Sequence, residues 1–225
     1  MKKVIVYGNT VLSEMLYYEA RGDAGFEIAA FCADSDYISS DTFLGLPLVD
    51  FDAAAKLYPP AEYDMIAVYT SFRQLRARKP YYQKARDAGY MLRNFISKRA
   101  DVAPDIVMGD NNIVLAQAHL GLNGTMGSNN IIRQQVYLGH EFKIGSHNVI
   151  SPGCNIAANC SMGDNCYIGI GATVIEKRTI ADETLVGAAS LILKDTEPYS
   201  KNMGNPARIA GYHEESGIMM GVRNG

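Results

Sequence analysis

Three things that would place this chain in an obvious functional class are missing from its 225 residues. No apolar run approaches the roughly 18 residues that cross a bilayer, so no membrane-spanning segment is expected. No charge of one sign dominates: 21 Lys and Arg stand against 24 Asp and Glu, a net charge of −3. The bulk therefore offers no electrostatic pull toward nucleic acid or an anionic membrane surface. Cysteine is sparse, with four in all. Cys154, Cys160 and Cys166 fall six apart, which matches no zinc spacing, and they are expected to be inert packing. The opening MKKVIVYGN is basic and then apolar, but the apolar run is too short for a signal peptide. A cytoplasmic location with reduced thiols is the expectation.

What is present divides into two halves with different periods. Up to residue 96, strand-like and helix-like segments alternate. KVIVYG, FEIAAFCAD and DMIAVYT read as strands, and YMLRNFI as the last strand. VLSEMLYYEARG, closed by Gly22, and FDAAAKLY, ended by Pro59 and Pro60, read as helices. RQLRARKPYYQKARDAGY reads as a helix that Pro80 kinks or divides, its basic stretch being a solvated face with phosphate contact as the alternative. Such alternation predicts an α/β domain, a Rossmann-like parallel sheet with covering helices, over residues 1–98. Ligands of such sheets bind beyond the carboxyl ends of the strands. YGNT after the first strand and CADSD after the second are therefore the candidate binding loops.

From Asp101 the rule changes. Cut into sixes, from DVAPDI to LILKDT, the chain has Val, Ile, Leu or Met second in all 16 hexads and Gly third in eight. A period of six fits no helix of 3.6 residues per turn. It suits a short strand, a corner and a repeat, with one inward side chain per side, stacked into a solenoid. Gly109, Gly127, Gly145 and Gly163 recur at intervals of 18, as do Asn112, Asn130 and Asn148. Three sixes thus make one triangular coil, and Gly and Asn are expected at that corner for their tolerance of positive φ. The domain is expected to span residues 99–197, with a C-terminal extension over 198–225.

These hexads, together with LGHE (138–141), SPG (151–153), YIGIGATVI (167–175) and GNPARIAG (204–211), resemble the hexapeptide-repeat sugar acyltransferases. The likeness is to the sialic-acid O-acetyltransferase and UDP-4-amino-sugar N-acetyltransferase branch, and it spans essentially the whole chain. It implies a left-handed parallel β-helix, a homotrimer, and acyl-CoA, most simply acetyl-CoA, lying in a groove between neighbouring β-helices. It also implies small-molecule substrates, no metal, and a nucleotide-linked amino sugar as acceptor in bacterial surface glycan synthesis. A sugar hydroxyl or a non-sugar amine would be served by the same chemistry, and a non-catalytic trimeric scaffold is the reading from another class.

Residue by residue, the resemblance assigns His140 as general base and Glu141 as the group that holds it. A histidine outside a solenoid is ordinarily a surface residue; the matched HE with SPG downstream outweighs that here. One coil later, Ala158 matches the position whose backbone amide supplies the oxyanion donor, where many relatives have Gly. Ile170 and Ala188 match backbone contacts to acyl-CoA. Val149 stands where some relatives carry a second active-site histidine, so that contact is absent or apolar. Lys201 and Arg208 flank the closing segment and are candidates for CoA phosphates, with solvated surface as the alternative. Gly8, Asn9, Thr10 and Asp34 are candidates for the nucleotide. Val11 and Leu12 depart from the Gly-rich loop of the nucleotide-sugar enzymes, and Ala33 replaces one of their paired acids. His119 is expected to be a surface residue and His147 a corner residue. The 21- and 7-residue spacings of these two from His140 do not suit a three-histidine metal site.

Overall fold

The computed structural model describes residues 2–21, 25–69, 74–213, 215 and 217–219. The chain forms two compact units, one within residues 1–70 and 77–97, the other within 71–76 and 98–225.

In the first unit, β1 (Lys2–Tyr7), α1 (Val11–Ala20), β2 (Phe26–Ala33), β3 (Thr42–Phe43), β4 (Leu46–Asp50), α2 (Phe51–Leu57), β5 (Tyr63–Ala67) and α3 (Arg78–Asp87) follow in order. The sheet runs β3-β4-β2-β1-β5, parallel except for the antiparallel β3–β4 edge. Val4, Ile5 and Val6 are fully buried, as a central parallel strand covered on both faces requires. Thr10 starts α1 with a capping box: its hydroxyl accepts from the Ser13 amide, and its own amide donates to the Ser13 hydroxyl.

Some expectations change here. The β3–β4 hairpin is an addition, turning through Leu44 (φ 55°) and Gly45 (φ 79°); leucine is an uncommon occupant of that torsion, so the turn is hidden in the sequence. The expected helix divides into a 3₁₀ turn, Leu75–Ala77, and α3, and Pro80 falls just past that junction. It is the third residue of α3, where the first-turn amide has no intrahelical acceptor to lose. YMLRNFI contracts to a bridge from Leu92 to Met65 and the two-residue strand Phe95–Ile96. Gly22 and Thr70 lie outside the described residues.

In the second unit the hexads become sixteen two-residue strands, from Asp101–Val102 to Leu191–Ile192. Each of the first thirteen pairs in parallel with the strand 18 residues on, as in Leu120↔Leu138↔Ile156↔Val174, so three ladders form the walls of a prism. From Val114 to Ile192 every second-position side chain is at most 6% exposed. A further inward row comes from the sixth positions, including Val136, Phe142 and Ala172. Cys154, Cys160 and Cys166 belong to this row. Their thiols donate to the carbonyls of Gly169, Ile175 and Ala181 at 3.0, 3.1 and 3.1 Å. Burial pushes Cys154 up to about 11 and Cys166 up to about 12, so these thiols stay protonated and unreactive.

The corners follow a different rule from the expected one. All fourteen fifth-position residues from Asn111 to Ala189 have φ between 51° and 68°, and only Gly153 and Gly171 among them are glycine. Asn112, Asn130 and Asn148 sit one residue later and serve as a buried ladder. Asn130 Nδ2 donates to the Gly145 carbonyl at 2.9 Å, while its Oδ1 accepts the Asn148 amide at 2.9 Å. The recurring glycines answer to space instead of torsion. A Cβ on Gly109 would lie 2.3 Å from Ser128 Oγ, and one on Gly145 2.2 Å from Asp164 Oδ1.

Beyond the last hexad, Ser200–Met203 pairs in parallel with Leu185–Val186 and antiparallel with Arg208–Tyr212, closing the end of one ladder. Among the described residues no helix is long and apolar enough to cross a membrane.

Replacing Asn130 with Ala takes its Oδ1 away from the buried Asn148 amide and its Nδ2 away from the Gly145 carbonyl, which keeps the Gly127 amide at 3.2 Å. Loss of the acceptor on a buried amide costs about 1–3 kcal/mol, so urea unfolding should show a loss of roughly that size. Asn155→Ala, on the exposed outside of a strand, should change stability by less than about 0.5 kcal/mol.

Candidate active site

His140 is fourth in its hexad, at the corner after Leu138 and Gly139, and its side chain is 59% exposed. Glu141, the next residue, takes the corner torsion with φ 59° and sets a carboxylate oxygen 3.2 Å from His140 Nδ1. In the tautomer with Nδ1–H donating to that oxygen, Nε2 carries the free lone pair.

The three corners differ in how they treat the fourth-position amide. At one, a polar side chain from the next coil covers it: Asp110 N–H donates to Ser128 Oγ at 3.1 Å, Ser128 N–H to Ser146 Oγ at 3.0 Å, and Asp164 N–H to Asp182 Oδ1 at 2.8 Å. At the His140 corner the corresponding residues are Leu122, His140, Ala158 and Glu176. Among the described residues no acceptor reaches the His140 or Ala158 amide. Gly139 keeps the second of these uncovered, since a Cβ there would lie 2.6 Å from Ala158 N. Ala158 is also tied to His140 through its neighbour, because the Asn159 amide donates to the His140 carbonyl at 2.9 Å. An imidazole base held by a carboxylate, with an unpaired amide one storey on, is the equipment of acyl transfer.

Comparison with solved structures finds the same overall fold. A variant of perosamine N-acetyltransferase from Caulobacter crescentus, with a histidine replaced by asparagine and in complex with CoA and GDP-perosamine, superposes with a TM-score of 0.84 at 25% identity, over 94% of this chain and 98% of that one. The structure of PerB from the same organism, with the same two ligands, gives 0.83 at 26% over the same shares. The acetyltransferase domain of PglB from Neisseria gonorrhoeae shares the fold with a TM-score of 0.82 at 21% identity, over 93% of this chain and 100% of that domain. The chain has the architecture of the hexapeptide-repeat sugar acyltransferases. No protein-family model and no curated protein sequence matches it.

In this acyltransferase architecture the prism is a left-handed β-helix, and the remaining expected residues can be placed on it. Ile170 and Ala188 stack at the third corner, where the Ala189 amide donates to the Ile170 carbonyl at 2.8 Å. Their own amides have no acceptor among the described residues, and Gly169 leaves that of Ala188 bare, a Cβ there falling 2.5 Å from it. Val149 is a partly buried residue on the outer wall, beside Ile131 and Tyr167. Lys201 and Arg208 lie in the closing hairpin, on facing strands, and are not on the His140 corner. His119 is more than a bare surface residue: its Nδ1 lies 2.7 Å from Asp101 Oδ2, and its ring stacks on Tyr137 at 5.1 Å between centroids. His147 does take a corner torsion, φ 65°, but it is buried and bonded to Asn129. Among the described residues no three His, Cys, Asp or Glu side chains gather to hold a metal.

In the first unit the sheet brings Gly8, Asn9, Thr10 and Asp34 to the carboxyl ends of β1 and β2. Gly8 (φ 129°) presses against β5, where a Cβ would meet the Val68 carbonyl at 2.2 Å. Asn9 donates to the Tyr37 carbonyl at 2.8 Å. Asp34 is the centre of a cluster the sequence did not reveal: Tyr7 Oη and Lys84 Nζ each donate to its Oδ1 at 2.7 Å. Lys84 also approaches Asp52 at 3.5 Å and lies 4.3 Å from the centre of the Phe51 ring. Only the sheet topology brings these residues, 27 and 50 positions from Asp34, to one edge. The basic stretch 73–80 is not the expected solvated face: Arg76 pairs with Glu183 at 2.8 Å, Arg78 is buried, and Arg73 lies outside the described residues.

Partial burial alone would raise the Asp34 carboxyl, but hydrogen bonds from Lys84, Tyr7 and Tyr81 outweigh it and hold the group below its ordinary value. A depressed carboxylate stabilises the fold above its unfolded pKa of about 3.9, and that contribution is lost as pH falls through the folded value. Asp34→Asn should therefore lower the thermal midpoint at pH 7, by an amount that shrinks as pH falls through the acid range; a drop that stays the same size at every pH would sink this account.

Proposed function

We propose that the chain is an acyl-CoA-dependent N-acyltransferase, transferring acetyl from acetyl-CoA to the amine of a nucleotide-linked sugar destined for surface glycan. The observation that carries this is the pairing of His140, steadied by Glu141, with the unpaired Ala158 amide on the adjoining coil. His140 Nε2 takes the proton from the acceptor amine as its nitrogen attacks the thioester carbonyl. The C–N bond forms, and the carbonyl oxygen becomes an oxyanion facing the Ala158 N–H. Collapse of this tetrahedral species breaks the C–S bond, and the proton held by His140 passes to the departing CoA sulfur. The amide is already aimed, so the developing charge meets a fixed dipole, an effect worth on the order of 3 kcal/mol.

The open amides of Ile170 and Ala188 fit the amide-rich pantetheine arm as it leads away from the thioester, with Val149 an apolar contact. Lys201 and Arg208, in the closing hairpin further along, suit the CoA phosphates. Gly8, Asn9, Thr10 and Asp34 are assigned to the nucleotide, with Asp34 acting through the donors it fixes. A homotrimer with the thioester groove between neighbouring prisms, working in the cytoplasm, completes the reading.

His140→Ala should lower turnover by about 10²–10⁴ while leaving the melting curve intact. The wild-type protein should be stabilised by CoA and by one of GDP, UDP or dTDP in thermal-shift measurements. Unchanged turnover in the variant removes His140 from the mechanism, and indifference to CoA removes the activity itself.

A further inference from the structure

Arg133 is a charge with no ion-pair partner among the described residues. It is third in its hexad, on the outer wall that precedes the His140 wall, and its amide donates to the Ile150 carbonyl at 2.9 Å. This sets it between Leu115 on the coil before, fully buried, and Ser151 on the coil after, 4% exposed. The guanidinium is itself partly buried, and burial works against its charge. Among the described residues its one polar side-chain contact is a long one, from Nε to Gln134 Oε1 at 3.5 Å. Among the described residues no carboxylate comes within salt-bridge distance of it. Other arginines are answered: Arg76 by Glu183 at 2.8 Å and Arg178 by Asp195 at 3.7 Å. An arginine does not escape such a site by losing its proton, and a partly buried unpaired cation is costly. That cost is offset where an oxyanion of a ligand completes the pair, for which the planar guanidinium is well shaped.

The level of Arg133 on the prism says whose oxyanion it is. Arg133 and His140 belong to the same 18-residue coil, whereas Ala188 lies three coils later, about 14 Å along the axis at ~4.8 Å per rung. The proposed thioester arm runs from Ala158 past Ile170 and Ala188, away from Arg133. Its phosphates therefore fall at the other end. Copies set side by side with parallel axes keep the same level, so this holds whichever copy supplies the arginine. Resting on the acyltransfer reading above, we infer that Arg133 binds an oxyanion of the acceptor, a phosphate or a carboxylate, and thereby selects acceptors that carry negative charge near the reacting amine.

Titration calorimetry on the full chain tests this with Arg133→Met, which keeps the stem, and Arg133→Lys, which keeps the charge. The probes are CoA, GDP, UDP, dTDP, UDP-glucose and UDP-glucuronate. Arg133→Met should leave CoA affinity within about twofold and weaken an acceptor-side probe at least about tenfold, the loss of one charge-assisted pair, with partial recovery in Arg133→Lys. Weakening shared by the nucleoside diphosphates puts a phosphate on Arg133. Weakening of UDP-glucuronate but not UDP-glucose puts a carboxylate there. Unchanged binding of every acceptor probe, or a loss for CoA as large as for the others, overturns the assignment. Failure of the acyltransfer reading is separate, because it shows as wild-type protein that does not bind CoA.

Discussion

Everything in the second unit depends on a backbone torsion repeated at every sixth residue. A residue with positive φ turns the chain through a corner, and ordinary side chains occupy that torsion at a cost of roughly 1–2 kcal/mol each. The offset comes from what the turn permits. Each circuit closes in 18 residues, so aliphatic side chains stack on their equivalents and every strand finds a parallel partner. Asparagine at the sixth position ties one corner to the next through a buried ladder. Regular geometry of this kind holds a side chain and an amide from adjacent coils at a fixed distance with no loop to order first.

The candidate active site arises from an omission. At the Ser128, Ser146 and Asp182 corner, hydroxyls and carboxylates cover the coil amides; at the His140 corner no acceptor among the described residues does. The Ala158 amide is left open at a partly exposed position, one coil on from an imidazole. The glycines before the corner residues contribute by absence too, since a methyl on Gly139 or Gly169 would sit on the Ala158 or Ala188 amide.

The strand positions and inward residues of the prism could be read in advance because a strict period leaves one geometry in which the aliphatic position always points inward. His140 and Glu141 could be singled out through the resemblance of LGHE to the family, and their side chains do meet, at 3.2 Å. Local torsions were not: Asn111 and Asn112 look interchangeable in the sequence, yet one turns the corner and the other bonds the next coil. The Leu44–Gly45 hairpin was hidden by a leucine in a torsion that usually selects glycine or asparagine. Lys84 and Tyr7 were hidden because only the completed sheet places them around Asp34. Arg133 could not be singled out from sequence at all, because what marks it is the lack of a carboxylate neighbour.

A coil of fixed length also gives each wall position an address of two coordinates, side and storey. Inserting 18 residues below Ala158 would lengthen the amide-lined wall by one storey and leave every later residue on its own side. Inserting six would rotate all that follows onto the next wall, carrying Ile170 and Ala188 together off the corner they now occupy relative to Ala158. A chain built this way can change the length of the thioester it accommodates in whole storeys, with the reacting end left where it stands.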